Sequence, residues 1–377
     1  MNYIFYQTKT MFSNMGDALI NKSLIDVLRS YGTLKANATK NIPQDFIDEL
    51  GIRSEERVNA SSEFMFLVTI FKQCICSAFS KDKVFIVSGL GHLHGSSSKK
   101  IIRNLIAGLI FPLLRLFGVR IVRIGLSIGP ISTGLGFTEL IRSFFINYYL
   151  VRDSESLKLC HNIGIKKARL CPDLSWVYKP QTMKNNADKE GIILLNFKKY
   201  TVERNVNSYR TDLLNRLDLV LSFMVKKIND RSIKFHVIYQ VTEDKEFAFE
   251  IFERYKDKYD MSLIYNQLTL NSASEYYGNS FCTLSNRMHS LLLCYKYGSL
   301  PIPLIDKAKH MKISAAFEDA GLDELILDLY ASWDESQLNN ILSQSELMLK
   351  KIQKAEKGNS QSIVNVLNGI FFQSCSQ

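Results

Sequence analysis

Short apolar runs recur along this chain with amphipathic helical stretches between them. That alternation confines it to the α/β class built on parallel strands. In the first half, Tyr3–Tyr6, Lys83–Ser88, Arg120–Gly125, Tyr149–Val151 and Ala168–Cys171 read as strands. Asp17–Tyr31 reads as a helix with Leu19, Ile20, Leu24, Val27, Leu28 and Tyr31 on one face. In the second half, Gly191–Asn196, Lys234–Tyr239, Met261–Tyr265, Phe281–Thr283 and Ile302–Ile305 read as strands. Arg210–Asn229 carries the strongest helical stripe, from Leu213, Leu214 and Leu217 to Met224, Val225 and Ile228. Helices at about Glu335–Glu356 and Ser360–Phe371 follow.

The 377 residues exceed one ordinary core and suit two domains. The polar stretch between Tyr178 and Glu190 reads as the linker. The expected division is 1–178, 190–345 and a pair of closing helices, 346–377, packing back on the first domain. Two Rossmann-like domains facing a central cleft form a GT-B-like arrangement, although periodicity alone equally permits other two-lobed α/β enzymes. Loops at the carboxyl ends of parallel strands are where such folds bind ligands. Here those loops are Thr8–Gly16, Gly89–Ser98, Ser127–Gly136 and Arg152–Ser156.

Seven scattered cysteines without CxxC pairing argue against a disulfide framework or a structural zinc, and suit a reducing, cytoplasmic setting. Met1–Tyr6 reads as a first strand, not a signal peptide. The net charge of +10 admits nucleic acid, an anionic membrane surface or anionic substrates as partners. No zinc finger or RNA-binding signature accompanies it, so nucleic acid is not the expected partner. The most apolar stretch, Ile101–Val119, is broken by Arg103, Pro112 and Arg115 and is too interrupted to span a bilayer. It reads either as a buried helix or as a helix on the inner leaflet, with Arg115, Arg120 and Arg123 toward headgroups.

Five motifs could carry chemistry. At Ser13-Asn14-Met15-Gly16-Asp17 a helix begins. Gly16 permits close backbone approach and Asn14 and Asp17 can bind hydroxyls, or the segment is a plain helix cap. Ser88–Gly95 is a Gly-rich turn lacking GxGxxG spacing. His92 and His94 lack an acidic or Cys partner for a metal, leaving a loop with one imidazole for proton transfer. Gly125–Pro130, with Ser127 and Gly129, is a small-residue turn. Arg152, at a strand end, could grip a carboxylate or phosphate, or pair with Asp153 or Asp173. Ser285-Asn286-Arg287-Met288-His289-Ser290 weighs most, because polar residues opening an apolar helix make an anion site with a titratable imidazole. Lys309, after the strand Ile302–Ile305, could add positive charge, or belong to a solvated loop.

Taken in order, Asn14–Asp17, the Gly89–Gly91 turn, Gly125–Pro130, Arg152-Asp153 with Ser156, Pro172-Asp173, Ser285–His289 and Pro301 through Lys309 resemble the polysaccharide pyruvyl transferase family. The resemblance implies a GT-B-like fold and transfer of pyruvate from phosphoenolpyruvate onto two sugar hydroxyls as a cyclic ketal. It implies that Arg287 and His289 contact phosphoenolpyruvate, with Arg152 as a further anion ligand. The acceptors it implies are sugars of bacterial surface polysaccharides, often lipid-linked at the cytoplasmic face, which would bring the protein to the inner membrane. One departure is Leu90, where many members carry another glycine.

The chemistry of that donor agrees. A carboxylate and a phosphate on one small skeleton need at least two cations, which Arg287, Arg152 and Lys309 can supply. His289 takes the acid/base role, with Asp17 or His92 assisting the acceptor hydroxyls. Asn14, Gly16, Gly89, Gly91, Ser127, Gly129, Asn286 and Ser290 are the accompanying substrate-binding positions. No metal or cofactor is required, since arginines can hold the phosphate. Two other readings stay open: a GT-B glycosyltransferase using a nucleotide sugar, and a non-catalytic sugar- or membrane-binding protein. No aromatic or acidic set for a nucleotide stands out near Asn196–Tyr200 or Gln240–Asp244.

Overall fold

The computed structural model describes residues 1–8, 10–78, 80, 82–88, 91–180, 191–198, 206–227 and 233–372. The chain divides into two compact units: Met1–Phe12, Asp17–Val177 and Asn359–Gln377 form the first, Ser13–Gly16 and Tyr178–Gly358 the second. Residues 181–190 of the expected linker, and Gly89 and Leu90, lie outside the described residues.

The first unit is built on β1 (Asn2–Tyr6), α1 (Met15–Leu28), β2 (Thr33–Asn37), α2 (Gln44–Glu49), β3 (Arg57–Val58) and α3 (Glu63–Ala78). It continues with β4 (Lys83–Ser88), β5 (Gly91–Gly95), α4 (Ser98–Leu116), β6 (Arg120–Ile131), α5 (Thr133–Phe144), β7 (Tyr148–Val151), α6 (Ser154–Asn162) and β8 (Arg169–Leu170). The strands run β3-β2-β1-β4-β6-β7-β8, with β5 on β6, and every pairing is parallel. A strand without a polar face must be covered on both sides, and β4 and β6 are buried almost throughout.

The second unit carries β9 (Ile192–Asn196), α7 (Val206–Lys227), β10 (Lys234–Val237), α8 (Lys245–Tyr255), β11 (Met261–Leu263), α9 (Leu270–Asn279) and β12 (Ser280–Ser285). Then come α10 (Met288–Lys296), β13 (Leu300–Ile305), α11 (Met311–Asp319), β14 (Leu327–Asp328), α12 (Glu335–Ser343) and α13 (Ser345–Phe371). Its strand order, β11-β10-β9-β12-β13-β14, is that of a Rossmann sheet, with the chain switching direction between β9 and β12. Ligands of such sheets bind beyond the carboxyl ends of the two strands at the switch.

Pro301 and Pro303 sit in the fully buried β13 without breaking its ladder to β12. The Ile305 carbonyl accepts from the Leu329 amide, so the alternate residues 301 and 303 face the β14 side. There β14 pairs only with Leu304 and Ile305, and no ladder donor is required of the prolines.

Several expectations are corrected. Gly91–Gly95, read as loop, is a strand paired with β6, which itself runs on to Ile131 through the supposed turn. The pairing partner, not local propensity, makes β5 extended. On α7, Val225 faces outward at the edge of the apolar stripe, and Ile228 lies outside the described residues. The closing segment is a short helix and one long one, broken at Gln344 instead of near residue 357. The boundary between the units falls inside α13, after Gly358. Its last turns pack in the first unit, where Tyr31 OH donates to Asn368 Oδ1 at 2.9 Å and Phe371 meets Phe85 in a tilted pair at 4.7 Å between ring centroids. Arg123, assigned above to face headgroups, is buried in an ion pair with Glu139, and the Tyr149 hydroxyl donates to the same carboxylate at 2.8 Å. Arg142 stands beside it, its guanidinium pushed down to about 10 by burial and by Arg123.

Candidate functional site

The second unit presents its site at the switch point of its sheet. β12 ends at Ser285, whose hydroxyl donates to the Asn196 carbonyl at 2.6 Å and accepts the Arg287 amide at 2.9 Å. The terminus of β12 is thereby tied to the terminus of β9. Asn286 repeats the tie one residue on. Its side chain accepts from the Lys198 amide at 2.8 Å and donates to the Lys198 carbonyl at 2.9 Å, imitating a strand partner. Two loops carrying cations are thus held side by side by side-chain amide bonds in a buried setting.

Those cations are Arg287, the N-cap of α10, and Lys198, two residues past β9. Both are half-buried. Arg287 forms an ion pair with the buried Asp244. Burial pushes the Lys198 ammonium down to about 8, and the neighbouring Arg287 pushes in the same direction while Asp244 opposes. The Asp244 carboxyl is raised by burial against the pull of Arg287 and Lys198. The group holds two cations and one carboxylate, leaving one positive charge in excess at neutral pH. A buried His310 stands behind them, pushed down to about 3 by burial and by Lys198, so it remains neutral. Its Nδ1 lies 3.1 Å from the Asp306 carbonyl.

His289 occupies the first turn of α10, where amide groups lack intrahelical partners. Its imidazole lies against the backbone of Gly16, in the same unit. A Cβ on Gly16 would meet His289 Nδ1 at 2.3 Å. Glycine is required there by close approach, since Gly16 has ordinary helical backbone. The Gly16 amide donates to Asn14 Oδ1 at 2.9 Å, and Gln267 donates to the Ser13 carbonyl at 2.5 Å, fixing this segment. Beneath α10, the Ser290 hydroxyl accepts from Asn196 Nδ2 at 3.1 Å and meets Tyr277 OH at 2.9 Å, with Gln240 donating to that phenol at 3.0 Å. Asn286 and Ser290 therefore brace the walls with their polar groups. Lys309 is exposed at the turn after β13, where its amide donates to the Asp306 carbonyl.

The first-unit candidates fall into separate groups. The His92 ring lies 3.1 Å from the Ser127 carbonyl and stacks on His94 at 4.3 Å. Gly129 sits under both, a Cβ there reaching within 2.9 Å of His92 Cε1. Ser127 is buried, and Gly91 opens β5 with a φ of 126° that disfavours any side chain. Arg152 donates to Asp173 at 3.1 Å. Asp17 accepts from Thr10 Oγ1 at 2.5 Å and from the Met11 amide at 3.2 Å. Among the described residues, no cluster of three His, Cys, Asp or Glu could hold a metal.

The order of motifs, with the Arg287–His289 pair at a Rossmann switch point, can be compared with known families. The sequence profile of the polysaccharide pyruvyl transferase family matches residues 14–298. The chain belongs to the polysaccharide pyruvyl transferase family.

Membership assigns this transferase to pyruvyl transfer in polysaccharide biosynthesis. No curated protein matches its sequence. Its fold is similar to that of the S. aureus MnaA–UDP complex, with TM-score 0.53 and 10% identity, over 98% of this chain and 96% of that one. It is also similar to UDP-GlcNAc 2-epimerase from Neisseria meningitidis bound to UDP-GlcNAc, with TM-score 0.52 and 13% identity, over 97% and 100%. These likenesses place the pyruvyl transferase in the GT-B fold type. Sequence reasoning missed Lys198, Asp244 and His310. Lys198 carried a usable signal, since it follows a buried strand's carboxyl end just as Arg152 does.

Proposed function

We propose that this protein transfers the pyruvyl group of phosphoenolpyruvate onto two hydroxyls of a sugar in a bacterial surface polysaccharide or its lipid-linked precursor, giving a cyclic ketal. The observation that carries the reading is the coupling of Arg287 and Lys198 across the ends of β12 and β9, with His289 next along α10. A molecule bearing a carboxylate and a phosphate needs two cations close together, and one of them in a fork that grips a planar or tetrahedral anion. Arg287 supplies the fork and Lys198 the point charge, with the α10 amides adding partial positive charge.

The chemistry then balances without a further reactant. A proton passes to the methylene carbon of the donor, leaving C2 electrophilic and joined to the phosphate oxygen. One sugar hydroxyl adds to C2, and the second displaces phosphate. Of the two hydroxyl protons, one replaces that given to the methylene and one leaves with phosphate. His289 is the group assigned to deliver the proton, because an imidazole can be acid and base near neutral pH. Asp244 keeps Arg287 in position.

The neighbours in fold include complexes with UDP and UDP-GlcNAc, so a nucleotide-sugar donor is the rival. Thermal shift separates the two, since a ligand that binds the native state raises the midpoint. Phosphoenolpyruvate raises the midpoint of the wild type and not of Arg287→Ala. A shift with UDP-, GDP- or CMP-sugars and none with phosphoenolpyruvate would reverse the assignment.

A further inference from the structure

The helix α4 leaves one apolar stripe without a partner. Ile102, Leu105, Ile106, Leu109, Leu113 and Leu116 are 48–82% exposed. At about 100° per residue they fall within roughly a third of the helix circumference. Opposite them, Asn104 and Leu114 are buried, and Asn104 donates to Glu139 of α5 at 3.0 Å. The helix thus packs on its unit by one side and shows aliphatic side chains on the other. Contiguous apolar surface of this size marks a docking face.

Charge identifies the occupant. Between Asp82 and Glu139 the sequence contains no acidic residue, while it contains Lys99, Lys100, Arg103 and Arg115 on α4. Glu139 itself is fully buried and spent on Arg123. Lys99, Arg103 and Arg115 are exposed, and no ion pair among the described residues involves them. A second copy of this chain would set these cations against one another, and a segment without exposed acids offers nothing to a basic partner. An anionic lipid surface suits both the stripe and its flanks: acyl chains take the leucines and headgroups take the ammonium and guanidinium groups. No described helix is long and apolar enough to cross a membrane, so α4 would lie in the interface plane.

We propose that α4 docks this protein onto an anionic bilayer through the face from Ile102 to Leu116. The claim stands on the first unit alone and does not depend on the donor assigned above. Co-sedimentation with phosphatidylglycerol–phosphatidylcholine vesicles, against phosphatidylcholine alone, tests it. The wild type should bind the anionic vesicles and much less the neutral ones, with binding weakened by salt. Leu109→Asp/Leu113→Asp should bind at least tenfold more weakly with an unchanged unfolding midpoint, since both side chains are exposed. Arg103→Glu/Arg115→Glu should lose the preference for anionic lipid, and it decides the matter if the leucine variant misfolds. Absence of binding to anionic vesicles, or wild-type binding by both variants, overturns the proposal. So does a concentration-dependent dimer that the leucine variant abolishes, which would assign the face to a second copy.

Discussion

Gly16→Ala is the sharpest perturbation available, because one methyl group acts on one imidazole. The added carbon would stand 2.3 Å from His289 Nδ1, and ordinary contact begins at 3.4 Å. The ring must therefore move by about 1.1 Å, the difference of those two distances. His289 is half-exposed, so its ring can swing aside, while its Cβ, 3.0 Å from the added carbon, must give by a few tenths of an ångström with the backbone. Leaving its rotamer well costs about 0.5–1.5 kcal/mol, which the fold can absorb. Catalysis tolerates less, since a displacement of about 1 Å costs on the order of a hundredfold. That is about 2.7 kcal/mol of transition-state stabilisation. The assay is inorganic phosphate released from phosphoenolpyruvate in the presence of acceptor, beside a thermal melt of the same preparation. The expected result is kcat down about a hundredfold with the midpoint nearly kept. Activity within twofold of wild type would show that the position of His289 is not what the reaction depends on.

Other perturbations have equally direct readouts. Lys198 has its ammonium pushed down to about 8, so donor affinity should fall by up to about tenfold per pH unit above that value. Lys198→Arg should flatten the fall in a titration, and an unchanged slope would exclude Lys198 from the donor site. Unfolded Lys198 binds its proton up to about 10.5, so this group's contribution to stability rises with pH between about 8 and 10.5. His310 gives a second sign: its folded pKa of about 3 lies below the ordinary 6.5, so stability should fall as pH drops through that window, and His310→Gln should reduce the slope in urea melts. Glu139→Gln leaves Arg123 buried without its carboxylate and should cost about 3–5 kcal/mol by urea denaturation. Asp244→Asn removes the partner of Arg287 and should raise the KM for phosphoenolpyruvate more than it lowers kcat.

Much of the fold was legible because buried parallel strands are written as uninterrupted apolar runs. Lys83–Ser88 and Ile192–Asn196 could hardly be anything else. Thr33–Asn37 was not legible, since TLKAN owes its extended form to pairing with β1. Gly91–Gly95 was hidden likewise, its glycines and histidines imitating a turn. At the site, Arg287 and His289 announced themselves as polar residues opening an apolar helix. Lys198 gave only its position past a buried strand, because a lone lysine looks the same whether solvated or half-buried beside an arginine. What distinguishes it is Asn286, joined to its backbone from 88 residues away. Arg152 shows the converse. Its place at a strand end allowed an anion ligand or a pair with Asp153 or Asp173, and the structure shows the pair with Asp173, 21 residues on.

The most direct test of the central claim runs wild type and His289→Ala side by side with phosphoenolpyruvate and a panel of sugar acceptors in deuterated water. Released phosphate is counted, and the product methyl group is read by proton NMR. The account predicts one phosphate per ketal and one deuteron in each new methyl group. In His289→Ala it predicts loss of turnover while phosphoenolpyruvate still binds. Near-normal turnover in that variant, or sugar transfer from a nucleotide donor with no phosphate released from phosphoenolpyruvate, would contradict it.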